Sequence, residues 1–258
     1  MALLFGCFVL SACAEEHPQV NVALLGDSNT FIGGEQCNQD RGWSKWFKDK
    51  FQPSTCKSYA RSGATWTNSS STQVNLKEYT EKLGNDNVIY NQVLRLIEAT
   101  GKGEQPKPQL IILMAGTNDA WFKSSRPMIY AKSPQQVFSN HQWSTSQSVN
   151  KMTSLAESVR YSCEKLMESF PDAQIVLVTP MQIAKPNVTD IRKVGNIIEE
   201  CGRYLSVPVI RLDFNGVVYS GRERIKPTFT SDGVHTNVEG ARRNGYYIAH
   251  QVESVLQF

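Results

Sequence analysis

Asn21-Val22-Ala23-Leu24-Leu25-Gly26-Asp27-Ser28-Asn29 is the stretch from which the fold can be read. Val22 to Leu25 is apolar without polar alternation, the pattern of a strand buried on both faces in a parallel sheet. The run ends at Gly26, and a short polar turn follows at once. In α/β folds the carboxyl ends of the strands are where ligands and reacting groups collect. A serine hydroxyl in such a turn becomes a nucleophile when a base and oxyanion donors meet it.

Working outward, Gln109–Ala115, Gln174–Thr179 and Pro208–Asp213 are further runs rich in β-branched residues that read as strands, and Lys57–Ala60, a weaker pattern without a β-branched residue, reads as a fourth. Helical patterns lie between them. Trp43-x-x-Trp46-Phe47 has helical spacing and stops near Pro53. Val88–Ala99 ends at Gly101 and the Pro106/Pro108 pair. Ser148–Phe170 is long and amphipathic, with Leu155, Val159, Cys163, Leu166 and Phe170 on one face. Asp190–Leu205 and Glu239–Leu256 complete the set. Alternating β and α elements predict a five-stranded parallel sheet with helices on both faces. One stretch breaks the alternation. Residues 120–147 carry Trp121, Phe122, Tyr130, Phe138 and Trp143 among Ser, Gln, Lys and Pro, and are too long for an ordinary connection. This insertion should overhang whatever site forms at Gly116–Asp119. Its aromatics form either a local core or a substrate-facing surface.

The 258 residues, 40% hydrophobic and 20% charged, suffice for one good core, so one domain over 20–258 is the economical division. A net charge of +3 gives no footprint for nucleic acid, and Arg222, Arg224, Lys226, Arg242 and Arg243 read as solvated surface. Met1–Val9 is apolar but too short to span a bilayer. It leads into Leu10-Ser11-Ala12-Cys13, an order that resembles the lipobox of bacterial lipoproteins. The resemblance implies a signal peptide over residues 1–13, lipidation at Cys13 and a polar tether over 14–19. The protein would then be exported and held by its lipid on the periplasmic face or cell surface, a location that Glu15 and Glu16 also suit. In that oxidising compartment Cys37, Cys56, Cys163 and Cys201 are candidates for disulfides, with buried free thiols as the alternative. The favoured pairings are 37–56, because the second strand should lie beside the serine loop, and 163–201. No C-x-x-C spacing or H-E-x-x-H occurs, so no metal site is expected, and no cofactor either.

Acyl transfer needs a nucleophile, a base, a group to orient the base and donors for an oxyanion. Of four histidines, His17 falls in the tether, His141 in the insertion and His250 on a terminal helix. His235 has Asp232 three residues upstream, across a Gly-Val turn, so a carboxylate can hold one ring nitrogen. Gly26-Asp27-Ser28, Ser62-Gly63, Gly116-Thr117-Asn118-Asp119 and Asp232-x-x-His235 follow one another in order. This set resembles the four blocks of the SGNH hydrolase superfamily, the GDSL esterases and lipases. The resemblance implies a flavodoxin-like three-layer α/β/α fold. It implies Ser28 as nucleophile, Asp232 and His235 as the other triad members, and oxyanion donors from the Ser28 and Gly63 main chain and the Asn118 amide. Gly63 can approach a substrate oxygen closely because it lacks a side chain, and Asn118 donates without competing as a nucleophile. Asp27 and Asp119 are expected to brace their turns. The substrate reading is a short-chain ester, an O-acetyl group on carbohydrate. A lysophospholipase-like acylhydrolase and a non-catalytic surface glycan-binding lipoprotein are the alternatives.

Overall fold

The structure, a computed structural model, describes residues 20–77 and 81–256. The leader, Cys13 and the tether lie outside the described residues. Five strands, β1 Asn21–Gly26, β2 Thr55–Ser58, β3 Leu110–Met114, β4 Gln174–Val178 and β5 Val209–Ile210, pair in parallel in the order β2-β1-β3-β4-β5. Val22 lies between Cys56 and Leu110, and Leu113 pairs with Leu177. Between and after the strands come α1 Ser28–Phe31, α2 Trp43–Phe51, α3 Ile89–Gly101, α4 Thr117–Trp121, α5 Pro134–Phe138, α6 Leu155–Ser169, α7 Val188–Leu205, α8 Leu212–Asn215, α9 Ser220–Ile225 and α10 Val238–Val255.

Right-handed crossovers dictate the layers. The chain moves one way along the sheet from β1 to β2 and the opposite way from β2 to β3, β4 and β5. Helix α2 therefore falls on one face, where α10 joins it, and α3, α6 and α7 pack together on the other. The sheet is the middle of three layers, as the alternating pattern predicts. Gly245 lets α10 settle on α2, since a Cβ there would stand 2.5 Å from the Trp43 carbonyl oxygen. The order in which strands are added reverses between β1 and β3, which run parallel, and a crevice opens at their carboxyl ends.

Several boundaries differ from the sequence reading. The fifth strand is only Val209–Ile210, because the chain after it turns into α8. There the buried Asp213 carboxylate accepts from the Thr179 hydroxyl at 2.7 Å and from the Arg211 guanidinium. Helix α6 begins at Leu155 rather than Ser148. Ser154 and Glu157 form a reciprocal capping box that sets the start, and Val149–Lys151 is a separate short 3-10 turn.

The cysteine pairings need correction: Cys37, Cys56, Cys163 and Cys201 are all free thiols. The chosen partners are nonetheless neighbours. The Cys37 and Cys56 thiols hydrogen-bond to each other, and Cys163 and Cys201 meet between α6 and α7. All four are buried, and burial pushes the Cys163 thiol up to about 12. Cys163 and Cys201, whose thiols burial pushes up, behave as small apolar side chains rather than as nucleophilic thiolates, whereas the hydrogen bond with Cys56 holds the buried Cys37 thiol below its ordinary range.

Candidate active site

The serine turn is built from both sides. Asp27 caps the one-turn helix α1, its Oδ1 accepting the Asn29 N–H at 3.0 Å, and its Oδ2 accepts the Thr117 N–H of α4 at 3.2 Å. One carboxylate thus ties the loop after β1 to the loop after β3. Burial raises the Asp27 pKa to about 6, against the opposing pull of its hydrogen bonds. Just before it, Gly26 is held by the Gln92 side chain of α3, which accepts the Gly26 N–H at 2.8 Å and donates to its carbonyl at 2.9 Å. A Cβ at Gly26 would stand 2.3 Å from the Met114 carbonyl oxygen, so the approach of β1 to β3 requires glycine. Ser28 sits at the head of α1 with 7% of its surface exposed.

Gly63 lies in the loop after β2 with φ +74°, the left-handed region. Against it runs a strap of residues 81–87. A Cβ at Gly63 would meet the Lys82 carbonyl carbon at 2.5 Å and the Leu83 nitrogen at 2.7 Å. The Asn87 side chain clamps the two together, donating to the Ser62 carbonyl at 2.7 Å and the Lys82 carbonyl at 2.8 Å. Arg126, from the insertion, donates to the Gly84 carbonyl at 2.7 Å and to the Thr67 carbonyl at 3.2 Å.

Asn118, in the first turn of α4, donates through Nδ2 to the Ala64 carbonyl at 2.9 Å. An amide nitrogen carries two hydrogens, so one remains for a ligand. Asp119 is fully buried and accepts the Trp66 and Thr67 N–H groups and the Thr67 hydroxyl. Burial raises its pKa. Like Asp27, it braces a turn.

Asp232 and His235 occupy an exposed loop before α10. Asp232 Oδ2 lies 2.7 Å from His235 Nδ1, while Oδ1 accepts the Val234 and His235 N–H groups. Desolvation works against the charge of Asp232, but the His235 ring and those two amides outweigh it and hold the carboxyl below its ordinary range. An ionised carboxylate only accepts, so the Nδ1 of a neutral His235 carries the proton and Nε2 is left basic. The imidazole is 30% exposed and the carboxylate 51%.

Ser28, Gly63, Asn118 and His235 line one groove of about 420 Å³ at the carboxyl ends of the strands. Leu83, Trp121, Phe122 and Val234 supply its apolar wall. The insertion aromatics therefore divide: Trp121 and Phe122 face the groove, whereas Tyr130 and Phe138 pack against the core and Trp143 is exposed. His141 is exposed, and His250 pairs with Glu253 on the outer face of α10. Among the described residues no cluster could hold a metal ion, and no helix is long and apolar enough to cross a membrane. Sequence reasoning missed the strap and its two clamps. Asn87 and Arg126 carry no local signal, because their partners lie in segments distant along the chain.

Comparison with solved structures finds the same fold at low sequence identity. A possible lipase from Chitinophaga pinensis aligns with a TM-score of 0.56 and 16% identity, covering 92% of this chain and 98% of that one. A protein from Lactobacillus plantarum aligns at 0.59 and 13% identity, over 92% and 98% of the two chains. A carbohydrate acetylesterase from Sinorhizobium meliloti aligns at 0.54 and 13% identity, over 92% and 100%. Among curated proteins none matches the sequence. The family model that does match describes the GDSL-like Lipase/Acylhydrolase family and runs over residues 24–243, from within β1 to within α10. The chain therefore belongs to that family, within the SGNH hydrolase superfamily, and is an ester hydrolase.

Proposed function

We propose that the protein is a serine esterase that removes short acyl groups, O-acetyl groups on carbohydrate in particular, through an acyl-enzyme on Ser28. The observation that carries this reading is the convergence of Ser28, Gly63, Asn118 and His235 on one groove, with Asp232 directly behind the imidazole. In this scheme His235 Nε2 takes the Ser28 proton as Oγ attacks the ester carbonyl. Asp232 fixes the tautomer and stabilises the imidazolium. The main-chain N–H of Ser28 has no intrahelical acceptor at the head of α1, so it can serve the oxyanion with the Gly63 N–H and Asn118 Nδ2. Water activated by His235 then releases the acid.

Two features support a short acyl group. The groove is small for a ligand site, and Trp121 and Phe122 border it beside polar Ser62 and Thr117, a mixture that suits an acetylated sugar. The acetylesterase of like fold is consistent with this. The apolar wall is what favours the second reading, a lysophospholipase-like acylhydrolase. Esters of graded chain length separate the two. An acetylesterase loses kcat/KM steeply from acetyl to octanoyl, because a small acyl pocket excludes the added methylenes. A rise toward octanoyl, with fatty acid released from lysophospholipid, would establish the second reading instead. Ser28→Ala and His235→Ala remove nearly all turnover and fluorophosphonate labelling, and Asn118→Ala lowers kcat on the order of 10²-fold. Full kcat in Ser28→Ala, or glycan binding with no turnover by the parent, would reject the esterase scheme.

Export and anchoring through Cys13 belong to the same proposal and rest on the Leu-Ser-Ala-Cys ending of the apolar leader. Metabolic labelling with palmitate should mark the parent protein and disappear in Cys13→Ser.

A further inference from the structure

The Asp232 carboxylate is 51% exposed and the His235 imidazole 30%, yet base catalysis demands that the pair be held precisely. Its support comes from below. Glu223, in α9, has 2% of its surface exposed. Its Oε1 accepts the Phe229 N–H at 3.1 Å; its Oε2 accepts the Thr228 N–H at 2.9 Å, the Thr230 N–H at 3.2 Å and the Thr230 hydroxyl at 2.5 Å. The Thr230 oxygen in turn accepts the Gly233 N–H at 3.1 Å. Gly233 stands between Asp232 and His235 with φ +84°, and its carbonyl accepts the Ala184 N–H at 2.7 Å. The loop closes on itself where the Ser231 N–H donates to the His235 carbonyl at 2.8 Å and Asn237 binds the carbonyls of Thr228 and Phe229. From its amino end this loop is organised around one buried carboxylate.

We infer that Glu223 is a positioning residue, which sets the Asp232–His235 geometry through the Thr230 hydroxyl and the Gly233 amide. The proposal rests on the roles given above to Asp232 and His235. The carboxylate form is required, because every group facing Glu223 in the loop is a donor. An amide at this position would turn its own NH₂ toward N–H groups. Burial works against the charge, but the Thr230 hydroxyl and the three amides outweigh it, and the Glu223 carboxyl lies below its ordinary range. The carboxylate is therefore present at any pH at which an esterase of this kind would work.

The test compares Glu223→Gln and Thr230→Val with Ile198→Val, a conservative change in the buried face of α7, away from the loop. Thr230→Val keeps the side-chain shape and removes only the hydroxyl link, so it remains informative if Glu223→Gln folds poorly. The first readout is the low-field NMR resonance of the His235 Nδ1 proton, assigned by its loss in His235→Ala. The resonance should shift or broaden in Glu223→Gln and Thr230→Val and stay in place in Ile198→Val. The second readout is turnover. Displacing a base by a fraction of an ångström lowers kcat by roughly ten- to a hundredfold, with KM changing less than about twofold. The limb of the pH–rate profile that reports the imidazole should move with the resonance. A parental resonance in both loop variants would overturn the proposal whether or not the protein hydrolyses esters. A moved resonance in a protein whose Ser28→Ala variant keeps full activity would instead defeat the esterase reading and leave the loop assignment standing.

Discussion

Asp27 shows how one side chain can serve geometry at the expense of stability. It links the turn that carries Ser28 to the turn that carries Asn118, and it does so in full burial. With its pKa raised to about 6 from 3.8, the folded state binds a proton more tightly than the unfolded chain does. The sign follows from linkage. The stabilisation is complete below the unfolded value and is lost as pH rises through about 6. A shift of about two units corresponds to about 3 kcal/mol. Asp27→Asn removes this dependence and adds a pH-independent cost, because its NH₂ must face one of the two N–H donors. The difference in unfolding free energy between variant and parent should therefore move in favour of the variant by up to about 3 kcal/mol between pH 4 and pH 7. Urea denaturation at the two pH values measures it; a constant difference would show that Asp27 is ionised throughout.

Among the elements, the strap of residues 81–87 depends on Asn87 in the way the serine turn depends on Asp27. Asn87→Ala leaves the Ser62 and Lys82 carbonyls without their donor, at a cost of about 1–3 kcal/mol. Because Gly63 rests on this strap, kcat should fall together with stability. Chemical denaturation and initial rates on an acetyl ester check both, and an unchanged kcat would show that the Gly63 loop holds its shape unaided. The strap also marks where sequence reading stops. Strands β1, β3 and β4 were legible because each is an apolar run, and β1 and β3 end at once in the turns of Ser28 and Asn118. Asp232 and His235 were legible because three residues separate them. Leu83 was not, since its place in the groove follows from packing against a loop about twenty residues earlier in the chain. Glu223 was concealed among Arg222, Arg224 and Lys226, a run that reads as solvated surface until α9 turns the carboxylate inward. The fifth strand was read too long for a similar reason: Asp213 looks like a strand end and is a buried acceptor for Thr179. Helix α6 was read too long although its start signal, Ser154-x-x-Glu157, is written in the sequence.

At the scale of the whole molecule, cohesion comes from the sheet and its two helical layers rather than from cross-links. Cys37, Cys56, Cys163 and Cys201 are thiols inside that core. Without any reductant, iodoacetamide should leave all four unmodified in the native protein and alkylate all four in denaturant, as peptide mass mapping would read. Cys37 and Cys56 that remain unmodified in denaturant until a reductant is added would show that they are bonded in the protein as isolated. The sheet has a further property at its margins. On one side β2 is four residues long, and on the other β5 pairs through Leu177–Val209 and Val178–Ile210 alone. An incoming chain needs a run of unsatisfied N–H and C=O groups to be templated into a new strand, and margins this short offer almost none. Copies crowded side by side would find little along these borders from which to grow a shared sheet, so the fold carries its own protection against amyloid-like assembly.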